Sequence, residues 1–452
     1  MRLAVIAQGL ERRSRWWAFV LLGVLCAQGV LLNSDMAHEL LLAEQLLRGV
    51  VSGEWHHSHF PVGPSIFLLP AALAGRLGGS GLAELTASVE FVLLGAWTAA
   101  LAARWSRRSC GASAGWSRVV ALAAVLTTPL WVYFVKAPMD AALATAATLA
   151  AVVALSDERD GAVGVALAGL ALSRDQMIPV ALAAALYLAW RLVRQWSWSR
   201  ALRWFGPLAV AGVVTLASNA ARFGSAFNFG PGYQSSLSWN TRVLLELVGS
   251  WSSGLLWFAP LALWGVVTLV RRARGGDTSV RLALVLVGST LLSAVLIHPN
   301  RNPDLLQQWI GWSGGVRFAL PALGILIASI PEPRRFASRL ALASAALVGF
   351  VWNLSMLLVP YNAQERIAPV AGFHPPQPWR QWSLVPTAWH NTWHLIVTGS
   401  TSRHSSAFFL SFWQVGALRQ YGRVTLLLTV PLSAGLLVGG VLVLRRAARD
   451  EA

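Results

Sequence analysis

Long apolar runs separated by short polar connections recur along the whole chain. Twelve of them can be drawn as membrane-spanning helices, at roughly 16–33, 84–103, 118–134, 141–155, 162–173, 176–190, 204–219, 251–270, 282–297, 317–330, 340–359 and 424–444. A helix needs about 20 apolar residues to cross a bilayer, and several of these runs only just suffice. The pattern predicts an all-α polytopic membrane protein with about 12 transmembrane helices, in a range of about 10 to 13.

The composition excludes a water-soluble globule. Hydrophobic residues make up 56% of the chain and charged residues 12%, whereas soluble domains carry about 25% charged residues. The two cysteines, Cys26 and Cys110, are too few for a disulfide framework. No A-x-A cleavage site follows the first apolar run, so we expect this run to be retained as the first span.

The formal charge of +17 arises from arginines and one lysine, which lie in small groups between the apolar runs. A nucleic-acid surface would need one continuous basic stripe, so we expect no nucleic-acid partner. With the N-terminus inside, 23 of the 36 cations fall on the cytoplasmic side, although the outer segments are longer. The positive-inside rule therefore predicts that both termini are cytoplasmic.

The titratable groups are concentrated on the predicted outer side. All nine histidines fall there, and the predicted cytoplasmic loops contain none. The acids near predicted membrane ends share that side: Asp35, Glu39, Asp140, Asp175 and Asp304. We therefore expect the chemistry of the protein at its outer face, with membrane lipids around it.

Three predicted outer segments are long: 34–83, 220–250 and 360–423. The chain divides on this basis into a transmembrane catalytic module at 1–359, an outer segment at 360–423, and the last span with a basic tail at 424–452. The outer segment is rich in Trp, His and Pro. Trp is typical of the headgroup level of a membrane, so this segment could lie on the membrane surface.

The first outer loop opens with an amphipathic stretch that ends at Gly49, which predicts a short helix in the membrane interface. Asp35, His38 and Glu39 are predicted to share one face of it. A carboxylate held there can act as a general base or a metal ligand. Asp35 can equally serve as the N-cap of the helix, because Asp is favoured at that position.

A histidine-rich stretch follows, with His56, His57 and His59 ahead of the sequence F-P-V-G-P at 60–64. The spacing of these histidines matches no closed tetrahedral metal site. A solvated turn and a ligand-binding role both remain open for it.

At this point the chain resembles the polyprenyl-phosphate-dependent glycosyltransferases of the C-type (GT-C) membrane superfamily. The resemblance rests on an acid directly after the first span, a helix ending L-x-x-G and the F-P-V-G-P turn, and on five later segments. These are Phe134–Asp140 before the fourth span, Gly169–Asp175 at the end of the fifth, the sequence N-x-x-R-F-G at 219–224 with G-P-G-Y at 230–233, and the stretches 253–260 and 312–321. Together they cover about residues 33 to 321. The last motif is shorter than usual, and 360–423 matches no motif of the superfamily. Because C-terminal parts often recognise the acceptor in such enzymes, the resemblance makes 360–423 a candidate for acceptor binding.

The resemblance implies a hexosyl- or pentosyltransferase in a bacterial inner membrane. It implies transfer of a sugar from a polyprenyl-phosphate donor to a glycan, lipid or protein acceptor on the outer face, with inversion at the anomeric carbon. The residues that it singles out form three groups. The catalytic group is Asp35, as the base, with Glu39 and Asp140. The donor phosphate is held by Lys136, Arg174, Arg222 and Arg317. The substrate is contacted by His38, His59 and Tyr233.

Arginine suits the phosphate role because its planar fork grips two oxygens. Each of these cations can alternatively extend to lipid headgroups. No cofactor is required by the sequence, and the use of a divalent cation stays open.

Two other functions remain open at this stage. An outer-face glycan polymerase or ligase that uses lipid-pyrophosphate substrates would also place arginines outside, but it would not need an acid after the first span. A transporter or flippase would favour charges near the membrane midplane. The interior charges, Glu90 and Glu246, are few and lie near span ends.

Overall fold

The computed structural model describes residues 34–48, 61–130, 134, 140–227, 235–237, 241–250, 254–299, 319–358 and 378–398. Fifteen α-helices occur in these ranges. They are α1 (Ser34–Arg48), α2 (Val62–Phe67), α3 (Leu69–Cys110), α4 (Ala114–Leu126), α5 (Asp140–Ser156), α6 (Asp160–Ser173), α7 (Ile178–Arg194), α8 (Trp198–Phe223), α9 (Thr241–Gly249), α10 (Leu255–Phe258), α11 (Leu261–Ala273), α12 (Thr278–Leu296), α13 (Leu320–Ala328), α14 (Phe336–Leu358) and α15 (Pro378–Thr398). A 3₁₀ turn, Asp175–Met177, joins α6 to α7.

Five helical segments in the described ranges are long and apolar enough to cross a membrane: Leu69–Cys110, Asp175–Arg194, Trp198–Phe223, Thr278–Leu296 and Phe336–Leu354. Three shorter apolar helices, α4, α5 and α6, accompany them. The predicted polytopic helical architecture is therefore confirmed. The predicted spans at 16–33 and 424–444 lie outside the described residues.

The described part of the chain is all-α, as predicted, apart from one short pair of strands. Two three-residue strands, β1 (Ser235–Leu237) and β2 (Ile297–Pro299), pair antiparallel, with Ser236 opposite His298. β2 follows α12 directly, so this pair ties the predicted 220–250 loop to the end of a membrane helix.

The predicted single span at 251–270 is interrupted. α10 ends at Phe258 and α11 begins at Leu261, because Pro260 between them has no N–H to continue the helix. The side chain of Asn353 on α14 compensates: its Nδ2 donates to the carbonyl oxygens of Phe258 at 2.8 Å and Gly349 at 2.7 Å. A break in a membrane helix is tolerated where neighbouring groups satisfy the freed backbone in this way.

The long helix α3 is two helices across a glycine pair. Gly78 and Gly79 leave helical geometry, and Gly79 takes a φ of +78°, which a residue without a Cβ adopts readily. A Cβ on Gly75 would meet the Cβ of Ala83 at 3.0 Å, so the chain on either side of the pair packs together. The predicted loop at 34–83 is therefore helical through most of its described part.

The centre of the bundle is built from small residues. α5 and α13 are buried along nearly their whole length. A Cβ on Gly324 of α13 would lie 2.8 Å from Leu149 of α5, and Thr148 donates to the carbonyl oxygen of Pro321 at 2.8 Å. Close helix approach through small residues, with Thr as the polar contact, is how membrane helices associate.

Helix α1 forms where the sequence predicts it. Its apolar residues Met36, Leu40 and Ala43 are buried and join the main core cluster, so this face packs on protein. Its location at the membrane surface stays a prediction.

Helix α2 corrects the interpretation of 60–64 as a turn. Pro61 is the N-cap of α2, and Val62, Gly63 and Pro64 form its first turn. A Cβ on Gly63 would lie 2.2 Å from the carbonyl oxygen of Leu172, near the end of α6. Glycine is therefore required for α2 to reach α6.

We predict that Gly63→Ala destabilises the protein by about 1–3 kcal/mol, because overpacking forces the backbones apart. Gly212→Ala on α8 is the matched control, since a Cβ there would meet nothing within 4 Å. Thermal unfolding of both variants in detergent compares them. Equal melting temperatures would contradict the close packing of α2 on α6.

The two ends of α8 allow the predicted orientation to be tested. Ser199 lies in its first turn and Ser225 just beyond its last, and both are exposed. In a background without Cys26 and Cys110, we expect Ser225→Cys to react with an impermeant maleimide on spheroplasts. Ser199→Cys should react only after lysis. The reverse pattern would invert the topology.

Candidate functional site

Five charged side chains meet at one end of the described helices, and we call this group the buried charge cluster. It consists of Glu39 on α1, Asp140 at the start of α5, Arg174 and Asp175 between α6 and α7, and Arg222 at the end of α8. Asp175 is half-buried. The other four are at most 5% exposed. Charged groups at such depth are expensive unless paired, which marks the location as a candidate site.

An ion pair between Arg174 and Asp140 joins two helices of the cluster. The Nε of Arg174 lies 2.9 Å from an Asp140 carboxylate oxygen, and the backbone N–H of Ala141 donates to the other oxygen at 2.8 Å. Arg174 leaves the helix in an extended conformation, with φ −165°, which ends α6 and directs the chain into the 3₁₀ turn. Removing one partner of a buried pair typically costs about 3–5 kcal/mol.

Arg222 is the second cation of the cluster. It interacts electrostatically with the carboxylates of Glu39 and Asp175, and its guanidinium carbon lies 4.9 Å from the centre of the Phe223 ring. Asp175 in turn interacts with Arg174 and Asp140. The cluster is thus one continuous chain of alternating charge.

Glu39 is held in place from a second direction. The hydroxyl of Ser65 on α2 donates to its carboxylate, and Glu39 is fully buried. α2 reaches this position because Gly63 allows it to approach Leu172. Ser65 carries no chemical signature in the sequence, so only the packing of α2 identifies its part in the site.

The end of α8 forms a small polar pocket beside Arg222. Asp175, Ser218, Asn219 and Arg222 line it, together with apolar residues of α2 and α6. α8 ends at Phe223 because Gly224 adopts a left-handed conformation, with φ +71°. The sequence N-x-x-R-F-G at 219–224 is therefore the last turn and cap of a helix, which aims Arg222 into the pocket.

An apolar groove of about 620 Å³ begins next to this pocket. Leu172 lines both cavities, so they adjoin. The groove runs along α5 between α3 and α6, and its floor includes the small residues Ala146, Ala147 and Ala150. It ends near Arg104, Asp157 and Arg159 at the opposite end of the helices.

The structure brings together four of the residues that the sequence selected: Glu39, Asp140, Arg174 and Arg222. It adds two that the selection omitted, Asp175 and Ser65. Asp175 directly follows Arg174, which was selected. Its own position, as an acid near a predicted membrane end, was the signal that could have identified it.

The prediction that Asp35, His38 and Glu39 share one face is wrong for His38, which is exposed while Glu39 is buried. Asp35 is the second residue of α1. The remaining candidates, Lys136, His59, Tyr233 and Arg317, lie outside the described residues.

Across the described ranges, no three His, Cys, Asp or Glu side chains are grouped as they would be in a metal site. The three carboxylates of the cluster interact with arginines instead. A divalent cation therefore finds no donor set of its own in this part of the chain, and its use stays open.

Comparison with known proteins gives one line of evidence on the fold. No protein-family model matches the chain, and no curated protein matches it. Among solved structures, the chain is similar to the crystal structure of ArnT from Cupriavidus metallidurans in the apo state. The two share 15% sequence identity with a TM-score of 0.51, over 98% of this chain and 77% of that one. The chain therefore shares the fold of that structure.

Proposed function

We propose that this protein transfers a sugar from a polyprenyl-phosphate donor to an acceptor at the buried charge cluster, on the outer face of a bacterial inner membrane. One observation carries the proposal: a buried arginine, Arg222, lines a polar pocket that adjoins an apolar groove. A donor of this class has an anionic phosphate joined to a long apolar chain. The order of the two linings, polar at Arg222 and apolar along α5, follows that division.

The groove supports a lipid-linked donor in particular. Its lining is largely apolar, and it follows α5 from Leu143 to Asp157. At 1.5 Å per residue this is roughly 20 Å. An isoprenoid chain lying there would keep its phosphate at the end where Arg222 and Asp175 line the pocket. Nucleotide sugars remain in the cytosol, so a donor used on the outer face must be carried by a lipid.

The proposed chemistry is a single displacement. The acceptor hydroxyl oxygen attacks the anomeric carbon, the bond from that carbon to the phosphate oxygen breaks, and polyprenyl phosphate leaves. Arg222 stabilises the charge that develops on the departing phosphate. Asp35 takes the proton of the hydroxyl as general base. A single displacement of this kind inverts the anomeric carbon.

The other cluster residues have positioning roles in this proposal. The Asp140–Arg174 pair fixes the ends of α5 and α6. Glu39, held by Ser65, orients Arg222. Lys136 and Arg317 remain proposed phosphate ligands, and His38, His59 and Tyr233 remain proposed substrate contacts.

The acceptor is proposed to be recognised by the segment 360–423. α15 lies within this segment and carries two exposed tryptophans, Trp389 and Trp393. Exposed aromatic side chains suit the faces of sugar rings as well as the headgroup level of the membrane. A glycan, lipid or protein acceptor is compatible with this surface.

We expect Asp35→Asn to fold normally and to lose about 10²–10⁴-fold in transfer rate, because Asn caps a helix as well as Asp but accepts no proton. Glu44→Gln on the same helix is the control. The measurement is the amount of unconsumed lipid-linked sugar in a deletion strain carrying each variant, by mass spectrometry. Wild-type consumption by Asp35→Asn would remove Asp35 from catalysis.

The same measurement distinguishes the donor class. A species with one phosphate between lipid and sugar should accumulate in the inactive strain. Accumulation of a pyrophosphate-linked glycan would favour a polymerase or ligase instead.

We expect Arg222→Lys to lose at least about tenfold in activity, since Lys keeps the charge but not the two-pronged contact with phosphate. Arg203→Lys is matched to it, because Arg203 is exposed near the opposite end of the same helix. Transfer from the lipid-linked donor in isolated membranes compares the two. Equal rates would mean that Arg222 does not grip phosphate.

A further inference from the structure

A second cavity, of about 610 Å³, lies at the end of the helices opposite the buried charge cluster. Four connections contribute to it: the end of α3, the α5–α6 turn, the α7–α8 connection and the start of α12. All four are predicted to be cytoplasmic, and the structure does place them at one end. We call this the inner-end cavity. The proposed transfer reaction makes no use of it.

Three arginines and three acids line the inner-end cavity: Arg108, Arg191, Arg200, Glu158, Asp160 and Asp277. Two of the acids are engaged by groups of the protein. Asp160 accepts from the Nε of Arg200 at 3.3 Å and from the indole N–H of Trp204 at 2.8 Å. Asp277 caps α12, accepting from the backbone N–H of Ser279 at 2.8 Å and from its hydroxyl at 2.7 Å.

The remaining charges in the lining are of both signs. Arg108 lies 3.6 Å from Asp157, a carboxylate that Arg104 approaches more closely, at 2.7 Å. One carboxylate therefore serves two guanidinium groups there. Arg191 adds a further cation on α7, half-buried beside Tyr187. On the acidic side, Glu158 is exposed.

Glu158 sits at an unusual backbone position. Its φ is +59°, the left-handed region that non-glycine residues seldom adopt. It occupies the tight turn Ser156–Asp160, between α5 and α6. A strained residue held by its surroundings is a pointer to function. Here the strain accompanies an exposed carboxylate at the edge of a cavity that three arginines line.

The chain near the cavity carries the residue types that are typical of the headgroup level of a membrane. Trp196 and Trp198, in the α7–α8 connection, are 55% and 75% exposed and pack edge to face at 4.9 Å. The Arg194 guanidinium lies 4.4 Å from the centre of the Trp190 ring. Exposed tryptophans with neighbouring arginines are typical of a membrane–water interface.

From these observations we infer that the inner-end cavity binds the headgroup of a zwitterionic, amine-bearing phospholipid such as phosphatidylethanolamine. Its phosphate lies between Arg108 and Arg191, and its ammonium group pairs with Glu158. Pockets between membrane helices that bind lipid headgroups are usually basic. The balance of charge in this lining favours a ligand that carries both signs.

The test uses the full-length protein, delipidated in detergent and titrated with phosphatidylethanolamine or phosphatidylglycerol under native mass spectrometry. We expect phosphatidylethanolamine to bind more tightly. Arg191→Gln should weaken it by about tenfold, the loss of one charged hydrogen bond. Arg203→Gln, outside the cavity at the same end, should leave it unchanged.

Glu158→Gln tests the ammonium contact directly, because the substitution keeps the shape of the side chain and removes its charge. It should abolish the preference for phosphatidylethanolamine over phosphatidylglycerol. An unchanged preference would overturn the inference, as would unaltered binding by Arg191→Gln. Competition by inorganic phosphate at a concentration equal to that of the lipid would overturn it too, since the site would then be one for a soluble anion.

Discussion

Burial of charge is the constraint on which the described arrangement depends. Three carboxylates and two guanidinium groups converge from α1, α5, α8 and the α6–α7 junction at one end of an apolar bundle. Each would be costly there without an opposite charge nearby. Their mutual pairing fixes where these helices end relative to one another. The cluster thus sets the register of the bundle and creates the site in the same step.

Most of the helices could be predicted from hydropathy, whereas the breaks within predicted helices could not. The runs at 141–155, 162–173 and 176–190 match α5, α6 and most of α7 closely, because uniformly apolar segments have one stable form in a membrane. The interruption at Pro260 and the fold-back at Gly78 and Gly79 escaped prediction. Hydropathy registers neither break, because each arises from one or two residues, Pro260 in the first and the glycine pair in the second. The contact of Asn353 with the Phe258 carbonyl, which satisfies the backbone at the first break, comes from a distant helix.

The site divides in a similar way. Glu39, Asp140, Arg174 and Arg222 were selected because their types suit the chemistry and their predicted positions share one membrane end. The ion pairs and hydrogen bonds among these side chains were not predictable from the sequence. The structure joins Asp140 to Arg174, which the sequence had assigned to separate roles, and brings Ser65 to Glu39 through the approach of α2 to α6. Such pairings depend on tertiary packing, which a linear motif does not specify.

The electrostatic attraction between Glu39 and Arg222 has a thermodynamic consequence. Glu39 belongs to α1, whereas Arg222 ends α8, so their attraction helps to dock α1 on the bundle. An anion that occupies Arg222 competes with Glu39 for the same guanidinium. Docking of α1 and capture of an anion are therefore antagonistic, and linkage requires each to weaken the other by the same factor. Arrival of an anionic ligand would loosen α1, and its departure would draw the helix back.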